Sequence, residues 1–301
     1  VFGPGSEWRR QVGEAPVAAD SEELVDQLAS QVEVRYGGVA AFNDGEYNVA
    51  YYRVPPGQPR VDVSFDDCQG KGYTPSELTD PAVGGHFLDV PVPEGAVPAA
   101  GADGELTVHD PAADQLWELW KARRVDGVWH ACWGGRLDDV SASPGFFPGY
   151  TGVAATGLSV TGGAIGLAEV RAGRIDHALS LNVVDAAHFT TYSYPAQRSD
   201  GNLPLGAPAA IEEGRRFRLD PALDLDTLDL HPIARLVADA AQRYGFIVND
   251  RAGAVSVIAE RGPAFVDAWA AARGDTPGYG VMAGFPWRSL HALPPDYGAL
   301  E

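Results

Sequence analysis

The sequence predicts a mainly β protein, a jelly-roll-like antiparallel β-sandwich with two or three peripheral helices. Three observations carry that expectation. Glycine (36) and proline (23) are abundant enough to favour many short strands and turns. Several segments alternate apolar and polar residues with period two. Only two segments read as clear amphipathic helices. At 301 residues the chain can bury a sizeable core, and residues 1–301 read as one domain.

In chain order, "DSEELVDQLASQV" predicts a helix over about 20–33. Asp20 stands at its N-cap, Glu23 is placed for a capping box, and Leu24, Leu28 and Val32 follow at helical spacing. "RVDVSFDDC" alternates Val61, Val63 and Phe65 against Asp62, Ser64 and Asp66, a half-buried strand. The proline-rich run that starts at "LDVPVPEG" suits an edge or a crossover more than a central strand and leads into the strand "GELTVHD". "GFFPGYTGVAATG" and "SVTGGAIG" predict glycine-rich loops packed over a sheet, and neither has the spacing of a P-loop or dinucleotide fingerprint. Near the C-terminus "LHPIARLVADAAQRYG" predicts a helix over about 231–244. Pro232 lies in its first turn and Gly245 just past its end. "FIVNDRAGAVSVIAE" reads as a hairpin after it.

The formal charge of −19 argues against nucleic acid and anionic lipid as partners. No apolar run reaches the length of a membrane span. The opening "VFGPGSEW" reads as a mature or trimmed start. Cys68 and Cys132 suffice for one disulfide, which would close a long loop and stabilise by roughly 4 kcal/mol. Two buried free thiols are the alternative. The histidines show no metal-ligand spacing, so no metal or other cofactor is expected. The run "DLDTLDL", with Asp224, Asp226 and Asp229, is the one place where a structural calcium could bind, though it lacks the glycine and glutamate of an EF-hand.

Four of the seven tryptophans fall in "LWELWKARRVDGVWHACWGG". Asp126-Gly127 is a type I′ turn signal. It pairs Val125 with Val128, Arg124 with Trp129 and Trp120 with Trp133. Alternation then puts Glu118, Trp120, Trp129 and Trp133 on one face, with Trp117, Leu119, His130 and Cys132 on the core side. A carboxyl among indoles suits glycoside hydrolysis. The rings stack on sugar faces, and partial desolvation raises the acid's pKa. The second carboxylate such chemistry needs is sought at Asp103, Glu169 or Asp200. The alternative is that the tryptophans fill a core and Glu118 makes a salt bridge.

In "EVRAGRIDHALSLNV", Gly173 marks a turn and His177 falls on the apolar phase of the strand. It is either an inward histidine bonded to a backbone carbonyl or to Glu169, or one half of a proton-transferring pair with Glu169.

The segments "CQGKGYTP", "DQLWELWKA", "WHACWGGRL", "AEVRAGRIDHALSL", "YPAQRSDG" and "EGRRFRLDP", in this order, resemble a family of uncharacterised, predicted secreted bacterial proteins abundant in actinomycetes. The resemblance implies an exported single domain, sometimes found beside carbohydrate- or cell-surface-associated modules, and no mechanism. Asp103, Glu118, Glu169, His177, Arg198 and Asp200 are the polar positions that match. The N-terminal "SEWRRQVG" departs from the Pro-Trp-Asn-like start of many relatives.

These readings give an extracellular glycoside hydrolase acting on a neutral or weakly charged polysaccharide. Glu118 pairs with Glu169 or Asp103, and Trp120, Trp129 and Trp133 form the sugar platform. His177, Tyr194, Arg198 and Asp200 support substrate binding. One alternative is a polysaccharide lyase, with His177 or Tyr194 as base and Arg198 on a uronate. Another is a non-catalytic carbohydrate- or wall-binding protein.

Overall fold

A computed structural model describes residues 1–261 and 266–299. Among them, five α-helices and fourteen strands occur in this order: α1 (Ser21–Glu33), β1 (Ala41–Asn43), β2 (Val49–Arg53), β3 (Val63–Phe65), α2 (Ser76–Thr79), β4 (Leu106–Asp110), β5 (Gln115–Trp120), β6 (Arg123–Val125), β7 (Val128–Ala131), β8 (Trp133–Leu137), α3 (Leu167–Ala172), β9 (Leu179–Val183), β10 (Arg216–Leu219), α4 (Pro232–Arg243), β11 (Phe246–Arg251), β12 (Ser256–Ile258), β13 (Glu260–Arg261), α5 (Val266–Arg273) and β14 (Leu290–Ala292). None of these helices is long and apolar enough to cross a membrane.

The strands form three open sheets, in the orders β1-β12-β9-β11-β10-β14, β13-β2-β4-β5-β8 and β3-β7-β6. The β-rich character matches the sequence reading; the antiparallel jelly roll does not. Five neighbouring pairs run parallel: β1 with β12, β9 with β11, β13 with β2, β2 with β4, and β3 with β7. A parallel pair requires a long crossover, and the proline-rich connection from Val54 to Glu105 supplies one between β2 and β4. The expected hairpin in "FIVNDRAGAVSVIAE" is also absent, because β9 lies between β11 and β12 and pairs with both. All five β9 residues are buried, as in a central strand covered on both faces.

α1 lays Leu24, Leu28 and Val32 on the six-stranded sheet, and α4 adds Ile233, Val237 and Ala241. The capping box at Asp20 does not form. Its carboxylate instead receives Arg215 at 2.8 and 3.0 Å. α4 starts with the His231 ring accepting from the Ile233 N–H, and Gly245 follows it with a left-handed φ of 74°. A second core packs Leu106, Val108, Trp117, Leu119 and Trp129. A third joins Leu116 and Leu137 of the five-stranded sheet to Ala178 and Ile247 beside the six-stranded one, around the buried Trp8.

The tryptophan hairpin keeps its expected register, with Val125 opposite Val128, Arg124 opposite Trp129, and Trp120 opposite Trp133. Its facing changes midway. Lys121 takes a left-handed φ of 52°, and the outer half, β6 and β7, leaves the five-stranded sheet to pair with β3. That turn sends Trp129 into the core beside Trp117, away from the Glu118 face. Cys132, in the break between β7 and β8, forms a disulfide with Cys68, Cα–Cα 5.7 Å.

Candidate functional site

Glu118 and Glu169 are each engaged by other groups. Glu118 lies on the β5 face that includes Leu116, between the two larger sheets, and is fully buried. Its Oε1 accepts from the Ser159 hydroxyl at 2.6 Å and the Thr161 N–H at 3.1 Å, and Oε2 accepts from the Val160 N–H at 3.2 Å. Burial raises its pKa against the pull of these bonds. The carboxylate thus anchors the glycine-rich loop over the sheet.

Glu169 lies in the first turn of α3, where Oε2 accepts from the Gly166 N–H at 2.9 Å and meets His177 Nε2 at 3.1 Å. His177 Nδ1 bonds the Ala178 carbonyl at 2.7 Å. This is the inward histidine, engaged at both ring nitrogens. Burial pushes the Glu169 pKa up, but the bonds from His177 and Gly166 outweigh it and leave it below the usual range. Glu118 and Glu169 share no hydrogen-bond partner among the described residues.

Asp103 is exposed and accepts from Trp120 Nε1 at 3.2 Å. Trp120 and Trp133 are half-buried, each with a lysine ammonium over its ring: Lys121 at 4.6 Å and Lys71 at 5.4 Å. Trp129 is lost to the core, so the three-indole platform reduces to two. Tyr194 donates its hydroxyl proton to Glu7 at 3.0 Å, and burial beside Glu7 lifts its pKa to about 12. The "DLDTLDL" aspartates do not gather either. Asp224 caps a short turn and Asp226 pairs with Arg235 at 2.7 Å.

A different trio does gather. Asp200, Glu213 and Asp250 each place a carboxylate oxygen within 4.8 Å of the other two. Asp250 ends the β11 core run "FIVND", just past a register shift in its pairing with β9. The other two acids are each followed by a glycine that the packing demands. A Cβ at Gly201 would lie 1.5 Å from the Ala187 carbonyl oxygen. At Gly214, with φ of 85°, it would lie 1.7 Å from that of Ser193. These close approaches fit Gly201 against the Ala187 carbonyl and Gly214 against the Ser193 carbonyl, where a side chain has no room. The Asp200 N–H donates to Glu213 Oε2 at 3.1 Å, while Glu213 Oε1 is buried without a partner.

Burial is graded across the trio. Glu213 is wholly enclosed, Asp250 is partly exposed and Asp200 is exposed. Desolvation, then the charges of Asp250 and Asp200, lift the Glu213 pKa to about 8. Desolvation, then the charge of Asp200, lifts Asp250 to about 7, against N–H bonds from Ala155 and Arg251. Glu105 belongs to the same field. It is buried with Oε1 unpartnered, and desolvation together with Glu118, Asp103 and Asp250 holds its pKa well above the ordinary value.

Arg198 is directed at backbone. Nε donates to Ala155 O at 2.8 Å, the terminal nitrogens to Gly152 O at 3.3 Å and Ala154 O at 3.0 Å, and a further bond goes to Tyr150 O. Desolvation lowers its pKa, partly offset by Asp250 and Glu213.

Asp200 alone of the trio was singled out by sequence reasoning. Glu213, Asp250 and Glu105 were missed; the dipeptides Asp200-Gly201 and Glu213-Gly214 do not single their acids out, since Asp44-Gly45, Glu94-Gly95, Asp103-Gly104 and Asp126-Gly127 share the pattern. Three oxygen donors so close together also fit a hard divalent cation. Comparison of the chain with protein-family models, curated proteins and solved structures finds no match.

Proposed function

We propose that this protein is an extracellular glycoside hydrolase acting on a neutral or weakly charged polysaccharide, with its reacting carboxyls at Asp250 and Asp200. The carrying observation is the gathering of Asp200, Glu213 and Asp250 within 4.8 Å under graded burial. A general acid for this reaction needs a proton at neutral pH and access to the substrate. Desolvation lifts the Asp250 pKa to about 7, and part of the residue reaches solvent. Asp200, exposed beside it, is the nucleophile. Glu213 is too enclosed to touch substrate and acts as a positioning residue, accepting the Asp200 N–H.

In the first step Asp250 gives its proton to the glycosidic oxygen as the bond to the anomeric carbon breaks and Asp200 attacks that carbon. In the second, the Asp250 carboxylate takes a proton from water as the water oxygen displaces Asp200. Carboxyl oxygens within 4.8 Å of each other suit this double displacement better than inversion, which needs roughly 6.5–9.5 Å to admit a water. The half-buried Trp120, bonded to Asp103, and Trp133, bonded to the Tyr150 carbonyl that Arg198 also holds, supply apolar surface. The disulfide fits an oxidising compartment.

The lyase alternative has less support. His177 is engaged at both ring nitrogens, Tyr194 is tied to Glu7, and Arg198 spends its donors on carbonyls. The test is a panel of bacterial, fungal and plant polysaccharides assayed for reducing ends and for ultraviolet absorbance. The reading expects new reducing ends without absorbance, lost in Asp250→Asn and Asp200→Asn. An absorbing product would favour a lyase, and binding without turnover a non-catalytic carbohydrate-binding protein.

A further inference from the structure

The segment from Tyr150 to Thr156 is tied to its surroundings along its length. The Tyr150 carbonyl accepts from Trp133 Nε1 at 3.1 Å and also from Arg198. Arg198 holds the carbonyls of Gly152, Ala154 and Ala155 as well. The Ala155 N–H donates to Asp250 Oδ2 at 3.0 Å, and the Thr156 hydroxyl donates to Asn249 O at 2.8 Å. Yet the Tyr150 side chain remains 73% exposed. A backbone fixed this heavily could have buried the ring at little extra entropic cost. It presents the ring to solvent instead, one carbonyl away from the half-buried Trp133 and on the same strap that bonds Asp250.

We infer that Tyr150 and Trp133 form the sugar-stacking subsite of this protein, holding a pyranose unit of an uncharged glycan chain beside the carboxyl trio. Flat aromatic surface matches the apolar face of a pyranose, which would take the place of the Lys71 ammonium 5.4 Å over the Trp133 ring, and the phenol hydroxyl stays wet at the edge. Arg198 is the positioning residue. Its guanidinium collects the carbonyls of the strap and so fixes where the ring stands. The subsite replaces the platform that lost Trp129 to the core. The inference rests on the glycan reading above, but binding is measurable without turnover.

The experiment uses Asp250→Asn protein, which keeps any ligand intact, titrated with cello-, xylo-, manno-, laminari- and chitohexaose by calorimetry and by tryptophan fluorescence. At least one is expected to bind and to perturb the emission. Tyr150→Ala in that background should weaken binding by about tenfold, the scale of one lost aromatic stack, and Tyr150→Phe should not. Arg198→Met, with Tyr150 present, should weaken it comparably. Thermal melts of the exposed Tyr150 variants should match the parent. Unchanged affinity in Tyr150→Ala, or no binding of any hexaose, overturns the subsite. Binding that depends on Tyr150, in a protein whose native form cleaves nothing, overturns the hydrolase reading and leaves the subsite standing.

Discussion

The backbone N–H of Asp200 donates to Oε2 of Glu213 at 3.1 Å, and a glycine with no room for a side chain follows each acid. A carboxylate already enclosed by protein thereby acquires a fixed neighbour at the surface.

Gly201→Ala should disrupt this arrangement, since its Cβ has no room against the Ala187 carbonyl. The expected result is loss of glycan cleavage along with a lower melting temperature. Full activity at unchanged stability would mean that the loop contact does not position the acids.

The raised acids also make stability depend on pH. In the fold Asp250 and Glu213 hold protons up to about pH 7 and about pH 8, whereas in the unfolded chain such carboxyls release them near pH 4. Between these limits the unfolded state binds fewer protons, so stability falls as pH rises through the window. Glu213→Gln should therefore melt above the wild type at pH 8, with the gap closing toward pH 4. A variant less stable than wild type at pH 8 would contradict the assignment.

Glu118→Gln should act on stability. The amide would turn a donor group toward the Ser159, Val160 and Thr161 donors, costing about 1–3 kcal/mol. Denaturant unfolding should show that loss, while the activity of the folded fraction survives. Abolished turnover at unchanged stability would return Glu118 to the catalytic role its place among the tryptophans suggests.

Reducing and alkylating Cys68 and Cys132 should destabilise by about 4 kcal/mol, the loop-closure term for a cross-link of this span. A melting temperature that does not fall on reduction would contradict this.

Exhaustive chelation tests the acid–base assignment from another side. Because Asp250 is assigned a proton, activity should survive chelation. Activity restored only by added divalent cation would reassign the trio to metal ligation.

Much of the fold was legible where local rules decide it. The Asp126-Gly127 turn set the hairpin register, helical spacing located α1 and α4, and alternation found β3. The sheet pairings were not legible, because the insertion of β9 between β11 and β12 is a long-range contact that leaves no local period. The facing of Trp129 escaped for a related reason. Alternation holds only along an unbroken strand, and the left-handed Lys121 breaks it. Of the acid trio, Asp200 stood out in a polar loop. Asp250 sat in an apolar strand and Glu213 beside basic residues, where a core reading is the natural one. Their significance comes from desolvation and mutual proximity, which sequence does not display.

The claim beneath all of this is that the buried carboxyls around Asp250 keep a proton at neutral pH. Carboxyl carbon-13 NMR, assigned with Asp250→Asn and Glu213→Gln, measures it directly. The account expects two side chains titrating near pH 7 and near pH 8 and both resonances lost from their respective variants. Titration of both groups below about pH 5, in the ordinary carboxylate range, would contradict it.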